Sequence, residues 1–443
     1  MKTFPLGGIH PEENKLSTAA TIEVFPLPKQ VTVFLNQHLG APATPIVEKG
    51  EKVKTGQLIA KAEAFVCANI HSPVSGTVNK IDSVKDMFGI YKNAIIIDVE
   101  GDEWVDTVDL TPNIVKDIKL SKSEIVDKIK EMGIVGLGGA TFPTHIKYMI
   151  PEGKKAEYLI INAVECEPYL TSDHRVMLEY TEEIVIGVSI LRKALGVDKA
   201  YIGIENNKPE CIAAMTKMAA QYEGVIVEPL KVKYPQGAEK QLIKAITGRS
   251  VPSGKLPIDV GCVVNNVGTA LAVYEAVQKN KPLIENIMTI TGKALAHQHN
   301  YRIRIGISYN DIVEHIGGLP DNTAKIISGG PMMGKAIVNL EAATTKGASS
   351  MLVVTEKEAT RAEEKDCIRC GKCMEACPMG LEPYLFSALI NNNKIQESIS
   401  EKLMDCIECG CCMFTCPANK PLLDEIRYAK NKFRQTMMQQ QKK

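Results

Sequence analysis

The sequence predicts a multidomain protein of mixed α/β and α+β class, and three observations lead to that prediction. Short β-branched runs separated by turn residues occupy residues 26–100, which is typical of a small all-β unit. Strand and helix patterns alternate between residues 123 and 285, which indicates βαβ units around a largely parallel sheet. Nine of the 13 cysteines lie between Cys367 and Cys416. At roughly 150 residues per domain, a chain of 443 residues has room for several such units.

The composition excludes some classes of function. Lys+Arg and Asp+Glu both number 52, so the chain lacks the basic excess on which nucleic-acid binding usually rests, and we expect no nucleic-acid partner. The apolar stretches, such as Ile184–Leu191, fall short of the roughly 18 residues of a membrane span. The first residues lack the apolar run of a signal peptide. We therefore expect no transmembrane segment and a reducing compartment, where dense cysteines bind metal rather than form disulfides.

The first predicted domain, residues 26–105, follows an N-terminal extension of residues 1–25. Its runs Val-Glu-Lys-Gly-Glu-Lys-Val-Lys-Thr-Gly-Gln from Val47 and Ser-Pro-Val-Ser-Gly-Thr-Val from Ser72 resemble the barrel-sandwich hybrid fold of biotinyl and lipoyl carrier domains. In those domains a lysine at a hairpin tip carries the prosthetic group. The corresponding stretch here, residues 64–69, contains no lysine. We therefore expect a docking or packing module rather than a carrier.

The second predicted domain, residues 123–285, has a Rossmann-like pattern after an aperiodic linker. We predict strands over residues 158–161, 199–204, 225–229 and 261–265, and helices over residues 181–195, 208–223, 238–247 and 269–279. A parallel sheet of this kind binds ligands at the carboxyl ends of its strands.

The third and fourth predicted domains follow. Residues 286–355 return to short strands with one helix at residues 309–316. Their segment Ser-Gly-Gly-Pro-Met-Met-Gly, from Ser328, is similar to the soluble-ligand-binding β-grasp (SLBB) fold. Residues 360–435 hold the cysteines and two helical stretches, so we predict a helical domain there.

The cysteines form two runs with the spacing C-x-x-C-x-x-C-x-x-x-C-P, which begin at Cys367 and Cys406. In bacterial ferredoxins the first three cysteines of such a run bind one [4Fe-4S] cluster and the fourth binds the other. The predicted ligands are Cys367, Cys370, Cys373 and Cys416 for the first cluster, and Cys377, Cys406, Cys409 and Cys412 for the second. The alternative is a pair of structural zinc sites, but zinc requires neither the third cysteine nor the Cys-Pro ending. Cys411 is interpreted as a non-ligand.

A glycine-rich loop spans residues 133–147 and ends in a lysine. Glycines allow backbone amides to approach a phosphate or a flat ring, and Lys147 can neutralise phosphate charge. Thr141 stands where a dinucleotide fingerprint has its third glycine. Three polar clusters, at residues 162–169, 234–239 and 264–269, follow predicted strands of the sheet.

Together and in this order, the four loops resemble those of the flavin-binding, NADH-oxidising subunit of respiratory complex I. The resemblance implies FMN and a nicotinamide nucleotide as ligands, although Leu137, Thr141 and Val164 differ from the family pattern. The implied FMN contacts are Gly136, Gly138, Gly139, Lys147, Asn162, Glu165, Tyr234, Gly237, Asn265, Asn266 and Thr269. The implied NADH contacts are Phe142, Glu167, Glu239 and Lys255, with Phe142 stacked on the adenine.

The whole chain resembles the RnfC family of the Rnf complex, the membrane-bound NADH:ferredoxin oxidoreductase of bacteria. The opening Phe-Pro-Leu-Gly-Gly-Ile-His-Pro, from Phe4, and all four predicted domains occur in that family's order. The resemblance implies that a hydride passes between NADH and FMN and that single electrons pass through the two clusters. It implies the membrane subunits A, B, D, E and G as partners, with ferredoxin reached through another subunit, and a peripheral position on the cytoplasmic face of the membrane.

Two other functions remain open from the sequence. One is a soluble microcompartment cobalamin reductase, which uses the same cofactors. The other is a non-redox scaffold that binds zinc.

Overall fold

A computed structural model describes residues 1–441, and an all-β unit forms its N-terminal part. The first eight strands of the chain are β1 Ile22–Val24, β2 Gln30–Phe34, β3 Thr44–Pro45, β4 Lys52–Val53, β5 Leu58–Lys61, β6 Ile70–His71, β7 Ser75–Lys85 and β8 Tyr91–Gly101. An antiparallel sheet in the order β2-β8-β7-β4 faces a smaller sheet of β3, β5 and β6 across one core. Val31, Val33 and Ile95 are buried in that core, as the β-branched runs predict.

The α/β part is built on a four-stranded parallel sheet in the order β11-β10-β9-β12. Its strands are β9 Tyr158–Asn162, β10 Ala200–Glu205, β11 Val225–Leu230 and β12 Cys262–Asn266. Its helices are α1 Lys122–Glu131, α2 Thr144–Lys147, α3 Ser172–Glu179, α4 Thr181–Leu195, α5 Pro209–Ala219, α6 Glu239–Thr247 and α7 Val267–Lys279, with a 3₁₀ turn at Pro257–Val260. The strands are largely apolar because helices cover both faces of the sheet.

The strand order reverses beside β9, where β12 lies on one side and β10 on the other. At such a reversal the loops that leave the carboxyl ends diverge and open a crevice. Asn162 of β9 pairs with Asn266 of β12 at this edge. The crevice therefore opens beside two of the sequence-predicted polar clusters.

The third part is a mixed sheet in the order β1-β14-β13-β17-β15-β16. Its elements after β1 are β13 Glu285–Thr291, β14 His299–Arg304, α8 Tyr309–His315, β15 Thr323–Ser328, β16 Lys335–Ala336, β17 Ser350–Thr355 and α9 Glu356–Ala359. The predicted strands are present here, and β1 adds an unpredicted one, since Ile22 of the N-terminal extension pairs in parallel with Asn300.

The cysteine region is helical, as predicted, and its two halves repeat a local pattern. Its helices are α10 Lys372–Glu375, α11 Pro383–Asn391, α12 Ile395–Ser400, α13 Cys411–Phe414 and α14 Leu422–Gln441, with a 3₁₀ turn at Leu403–Asp405. Gly371 and Gly410 follow the second cysteine of each run, and both have the left-handed conformation (φ 78° and 80°). Within the part of the chain that the structure describes, no helix combines the length and apolarity needed to cross a membrane.

The N-terminal extension fastens the cysteine region to the α/β part. Ile9 and Tyr234 exchange backbone hydrogen bonds of 2.9 Å, and the Gly8 amide donates to the Ala376 carbonyl. Gly7 has φ 61°, and a Cβ there would lie 2.5 Å from the Cys377 backbone. Only glycine permits this approach, which gives a physical reason for the paired glycines of the opening motif.

Candidate functional site

A cavity of about 1520 Å³ opens at the carboxyl ends of β9 and β12. Pockets that hold one drug-sized ligand measure roughly 300–1000 Å³, so this cavity has room for two ligands of cofactor size. Loops of the α/β part line it together with residues of the all-β part and of the third part. The predicted site residues at the cavity wall are Gly136, Gly138, Gly139, Phe142, Lys147, Asn162, Glu165, Glu167, Tyr234, Gly237, Glu239, Asn265 and Asn266.

The glycine-rich loop is closed by its own hydrogen bonds and by helix α7. The Gly136 amide donates to the Phe142 carbonyl at 2.8 Å, and the Leu137 amide donates to Thr269 Oγ1 at 2.9 Å. Thr269 is fully buried behind the loop and does not line the cavity. The resemblance predicts it as a flavin contact, whereas its hydroxyl here orders the loop.

The loop leaves its central glycines exposed toward the cavity. Gly138 has φ 72°, and a Cβ there would lie 2.9 Å from Asn266 Nδ2. Thr141 also has the left-handed conformation (φ 54°), which costs a β-branched residue about 1–2 kcal/mol. The family pattern has glycine at this position, which avoids that cost.

Lys147 brings a partly buried cation to the loop. Its Nζ donates to the Val264 carbonyl at 2.7 Å and lies 3.8 Å from where a Cβ of Gly136 would stand. Burial lowers the pKa of Lys147, and the Glu239 carboxylate opposes that shift. A partly buried ammonium beside exposed glycines is a donor set suited to a phosphate, so these residues fit the phosphate of FMN.

Three asparagines lie at the ends of β9 and β12. Asn162 Nδ2 donates to the Gly237 carbonyl at 2.8 Å, and Asn266 Nδ2 donates to Asp173 Oδ2 at 2.8 Å. Asn265 Nδ2 donates to the Tyr148 hydroxyl, while Asn265 Oδ1 is buried without a hydrogen-bond partner among the described residues. An unsatisfied buried acceptor at a cavity wall suits a ligand that carries N–H groups, as the flavin ring does.

Glu165 has a structural partner that the sequence does not reveal. Its Oε1 accepts from the Asp173 amide at 2.7 Å and its Oε2 from the His174 amide at 3.1 Å, so its carboxylate caps helix α3. A carboxylate at a helix N-terminus is favourable because it satisfies free amides and opposes the helix dipole. Helix α3 was not predicted, since its cap comes from a preceding loop rather than from its own first residue.

Glu167 and Tyr234 connect three parts of the chain. Glu167 Oε1 accepts from the Met333 amide at 2.8 Å, and its Oε2 accepts from the Met332 amide at 3.1 Å. The Tyr234 hydroxyl lies 2.9 Å from the Cys409 carbonyl and 3.3 Å from Glu167 Oε1. Burial raises the pKa of Glu167 to about 7, against the effect of the two amides. Much of the hydrogen-bonding capacity of this predicted NADH contact is therefore used within the protein.

Of the other three residues predicted to contact NADH, two line the cavity and one does not. Phe142 and Glu239 line the cavity, whereas the exposed Lys255 does not, although its neighbour Leu256 does. The assignment of Lys255 to the nucleotide stays a prediction without support from this geometry.

Lys15 is a residue of this site that the sequence did not indicate. Its Nζ donates to the carbonyls of Glu165, Glu167 and Leu170 at 2.8, 2.9 and 2.7 Å, and burial lowers its pKa. It thus holds the loop that carries Glu165 and Glu167. No local pattern reveals such a residue, because its partners are backbone carbonyls about 150 positions away.

Replacing Lys15 with methionine is expected to lower the melting temperature by roughly 3–8 °C. The change leaves three carbonyls of the loop without their partly buried donor, at a cost of about 1–3 kcal/mol. Thermal unfolding of Lys15→Met beside Lys49→Met, an exposed lysine of the all-β part, measures the effect. Equal melting temperatures for the two variants would contradict it.

The eight predicted cluster ligands fall into two groups of different burial. Cys377, Cys409 and Cys412 are buried, whereas Cys367 and Cys370 are exposed. Burial raises the pKa of Cys406 to about 11, and the nearby Cys409 and Cys377 thiols add to the rise. Burial and then Cys406, Cys409 and Cys377 raise the pKa of Cys412. The predicted second set of ligands therefore converges, and the four thiols line one small cavity.

The distances between the cysteine sulfurs can be compared with those of a zinc site. With Zn–S bonds of about 2.3 Å, tetrahedral zinc holds its sulfurs roughly 3.8 Å apart. Among residues 1–441, the one group of three or more ligand atoms within 4.8 Å of one another is His174, Glu210 and Cys211, outside the cysteine region. No three of the eight predicted ligand thiols lie that close together. Cys411 is fully buried beside the second group, with its Sγ 4.0 Å from the Tyr234 carbonyl.

This fold and site define an iron–sulfur flavoprotein of electron transport, and comparison with known families agrees. Residues 2–102 match the RnfC barrel sandwich hybrid domain, and residues 129–275 match the Nuo51 FMN-binding domain. Residues 287–336 match the SLBB domain, and residues 359–417 match a 4Fe-4S dicluster domain. The fold class and the cofactors expected from the sequence are confirmed.

The chain belongs to the RnfC family of the ion-translocating ferredoxin:NAD(+) oxidoreductase complexes. It is 48% identical to the RnfC component of the proton-translocating complex of Clostridium ljungdahlii, over 98% of this chain and 94% of that protein. It is 42% identical to the RnfC component of the Na(+)-translocating complex of Acetobacterium woodii, over 96% of both chains. These relatives favour the Rnf family over the cobalamin reductase and the zinc scaffold.

The fold of this chain is also similar to folds found among solved structures. An NAD+-reducing [NiFe]-hydrogenase in the H2-reduced state aligns with a TM-score of 0.52 at 18% identity, over 72% of this chain and 63% of that chain. At this identity the likeness concerns the fold alone.

Proposed function

We propose that this chain exchanges electrons between NADH and a membrane-bound partner, as the RnfC component of an ion-translocating ferredoxin:NAD oxidoreductase. FMN, when bound, converts between the hydride of NADH and single electrons. The observation that carries the proposal is the junction at Tyr234. Tyr234 lies at the wall of the large cavity, and its hydroxyl lies 2.9 Å from the carbonyl of Cys409.

The chain's own residues bind and orient the cofactors. With FMN bound, Lys147 and the exposed glycines of the loop would hold its phosphate, and Asn265 Oδ1 would accept a hydrogen bond from the flavin ring. Thr269 and Lys15 order the two loops that border the cavity. The hydride transfer itself needs no side chain as an acid or a base, since a hydride carries its proton together with both electrons.

The burial of the cysteines favours a route for electrons from the large cavity through the second cluster to the first. The second group, at Cys377 and Cys406–Cys412, lies next to Tyr234, and the first group reaches the surface at Cys367 and Cys370. Ile368, between these two thiols, is also exposed. We assign the surface around Cys367 as the contact for a redox partner of the complex.

The partners and the location that we propose are those that the resemblance to the family implies. The proposed partners are the membrane subunits A, B, D, E and G, with ferredoxin served through another subunit, at the cytoplasmic face of the membrane. Ion translocation is assigned to those subunits. The relatives themselves differ in the ion that they are named for.

Addition of NADH to anaerobically purified, FMN-reconstituted protein is expected to bleach the flavin absorbance. The hydride reduces the ring, and reduced flavin lacks the visible bands of the oxidised form. Stopped-flow absorbance with NADH, and with NAD+ as the matched control, measures the reaction. An unbleached flavin in protein that holds both clusters would refute NADH as the donor.

A further inference from the structure

One wall of the large cavity comes from the barrel-sandwich domain, which the proposed function leaves without a role. Leu39 and Phe65 of this domain line the cavity, and they are 55% and 68% exposed. Phe65 lies in the stretch where carrier domains have their modified lysine. The fold therefore places a large apolar side chain, rather than a prosthetic group, at this tip.

The two loops that carry these side chains are joined to each other. The Ala41 amide donates to the Val66 carbonyl at 3.0 Å. Gly40, next to Leu39, has φ 119°, and a Cβ there would lie 2.1 Å from the Val66 oxygen. Because only glycine permits this contact, the loops form one surface with Leu39 and Phe65 on it, which we call the barrel wall.

The barrel wall lies against the far end of the glycine-rich loop. The Leu39 amide donates to the Thr141 carbonyl at 3.3 Å, one residue before Phe142. At its near end the same loop meets Asn266, through Gly138. The glycine-rich loop thus extends from the strand ends, where the flavin belongs, to the barrel wall.

The shape of the dinucleotide determines which of its halves can reach the barrel wall. The nicotinamide ring has to meet the flavin, so the adenosine half of the dinucleotide lies away from the strand ends. Flat aromatic bases gain from contact with phenylalanine rings. The neighbours of Phe65 are Ala64 and Val66, which suit a base rather than a phosphate.

We propose that the barrel wall is part of the nucleotide site and that Phe65 and Leu39 contact the adenine of NAD(H). This inference rests on the proposed NADH chemistry and assigns a binding role to the barrel-sandwich domain. Contact between one base and one aromatic side chain is worth roughly tenfold in affinity. The nicotinamide half gains nothing from the barrel wall.

Two probes that each carry half of the dinucleotide test the proposal. ADP-ribose has the adenine end and cannot be oxidised or reduced by the flavin, so its affinity for the oxidised holoprotein is measured by calorimetry. Reduced nicotinamide mononucleotide has only the other end, and its rate of flavin bleaching is measured by stopped flow. Phe65→Ala is expected to weaken ADP-ribose binding roughly tenfold and to leave the mononucleotide rate unchanged.

The matched control is Ile46→Ala, because Ile46 is 51% exposed on the same domain and does not line the cavity. Phe65→Trp keeps an aromatic face and is expected to retain ADP-ribose affinity. Equal affinities for Phe65→Ala and Ile46→Ala, or no ADP-ribose binding by the wild type, would overturn the proposal. If NADH bleaches the flavin of the wild type but Phe65→Ala and Ile46→Ala bind ADP-ribose equally well, only the role of the barrel wall is rejected. If NADH does not bleach the flavin, the proposed function itself is rejected.

Discussion

Replacement of Cys412 by alanine is expected to remove roughly half of the iron and cluster absorbance of the protein and to stop electrons from leaving the flavin. The buried group of thiols loses one of its four predicted ligands, while the group at Cys367 is untouched. NADH still bleaches the flavin, because the cavity residues are unchanged. Reduction of an added one-electron acceptor falls to near background, since the buried cluster lies next to the cavity. Iron analysis and anaerobic acceptor assays measure the two effects.

Cys411 provides the matched control for this experiment. Cys411 is adjacent to Cys412 in sequence and is also buried. Its Sγ lies beside the Tyr234 carbonyl, and it is not one of the predicted cluster ligands. Cys411→Ala is expected to keep its full iron content and its acceptor activity. Iron loss in Cys411→Ala comparable to that in Cys412→Ala would show that the assignment of the ligands is wrong.

The second large effect is expected at Lys147. Lys147→Met removes the partly buried ammonium whose Nζ donates to the Val264 carbonyl beside the glycine-rich loop. Loss of a charge-assisted hydrogen bond to a phosphate weakens binding roughly 10- to 100-fold. The dissociation constant of FMN for the apoprotein, followed by quenching of flavin fluorescence, measures this loss.

Riboflavin separates loss of the phosphate contact from general damage. It has the flavin ring without the phosphate, so its weaker binding is expected to be the same in Lys147→Met and in the wild type. Lys155→Met changes an exposed lysine of the same part of the chain and serves as the charge control. If FMN bound Lys147→Met as tightly as Lys155→Met, the phosphate would have to lie elsewhere.

Local sequence pattern predicted most of the regular structure around the site. Helix α4 spans Thr181–Leu195 as the periodicity indicates, and β9 at Tyr158–Asn162 extends the predicted strand by one residue. Apolar periodicity and turn residues are local properties, which is why they can be recognised without the fold. The spacing of the cysteine runs is local in the same sense.

The partners of the polar residues could not be predicted, because they come from distant parts of the chain. Glu167 bonds to the amides of Met332 and Met333, and Thr269 bonds to the amide of Leu137. A resemblance assigns such residues to a ligand because they are close to it. It does not reveal which of them touch the ligand and which order the loops behind it. Lys15 shows the same limit, since its three acceptors are carbonyls of another domain.

The junction at Tyr234 has a consequence for how electrons travel within the chain. The Tyr234 hydroxyl and the Gly8 amide hold the cysteine domain to the α/β domain at Cys409 and Ala376. The barrel-sandwich domain, for its part, has no lysine at residues 64–69 to bear a swinging arm. In the proposed pathway the internal route therefore needs no moving part.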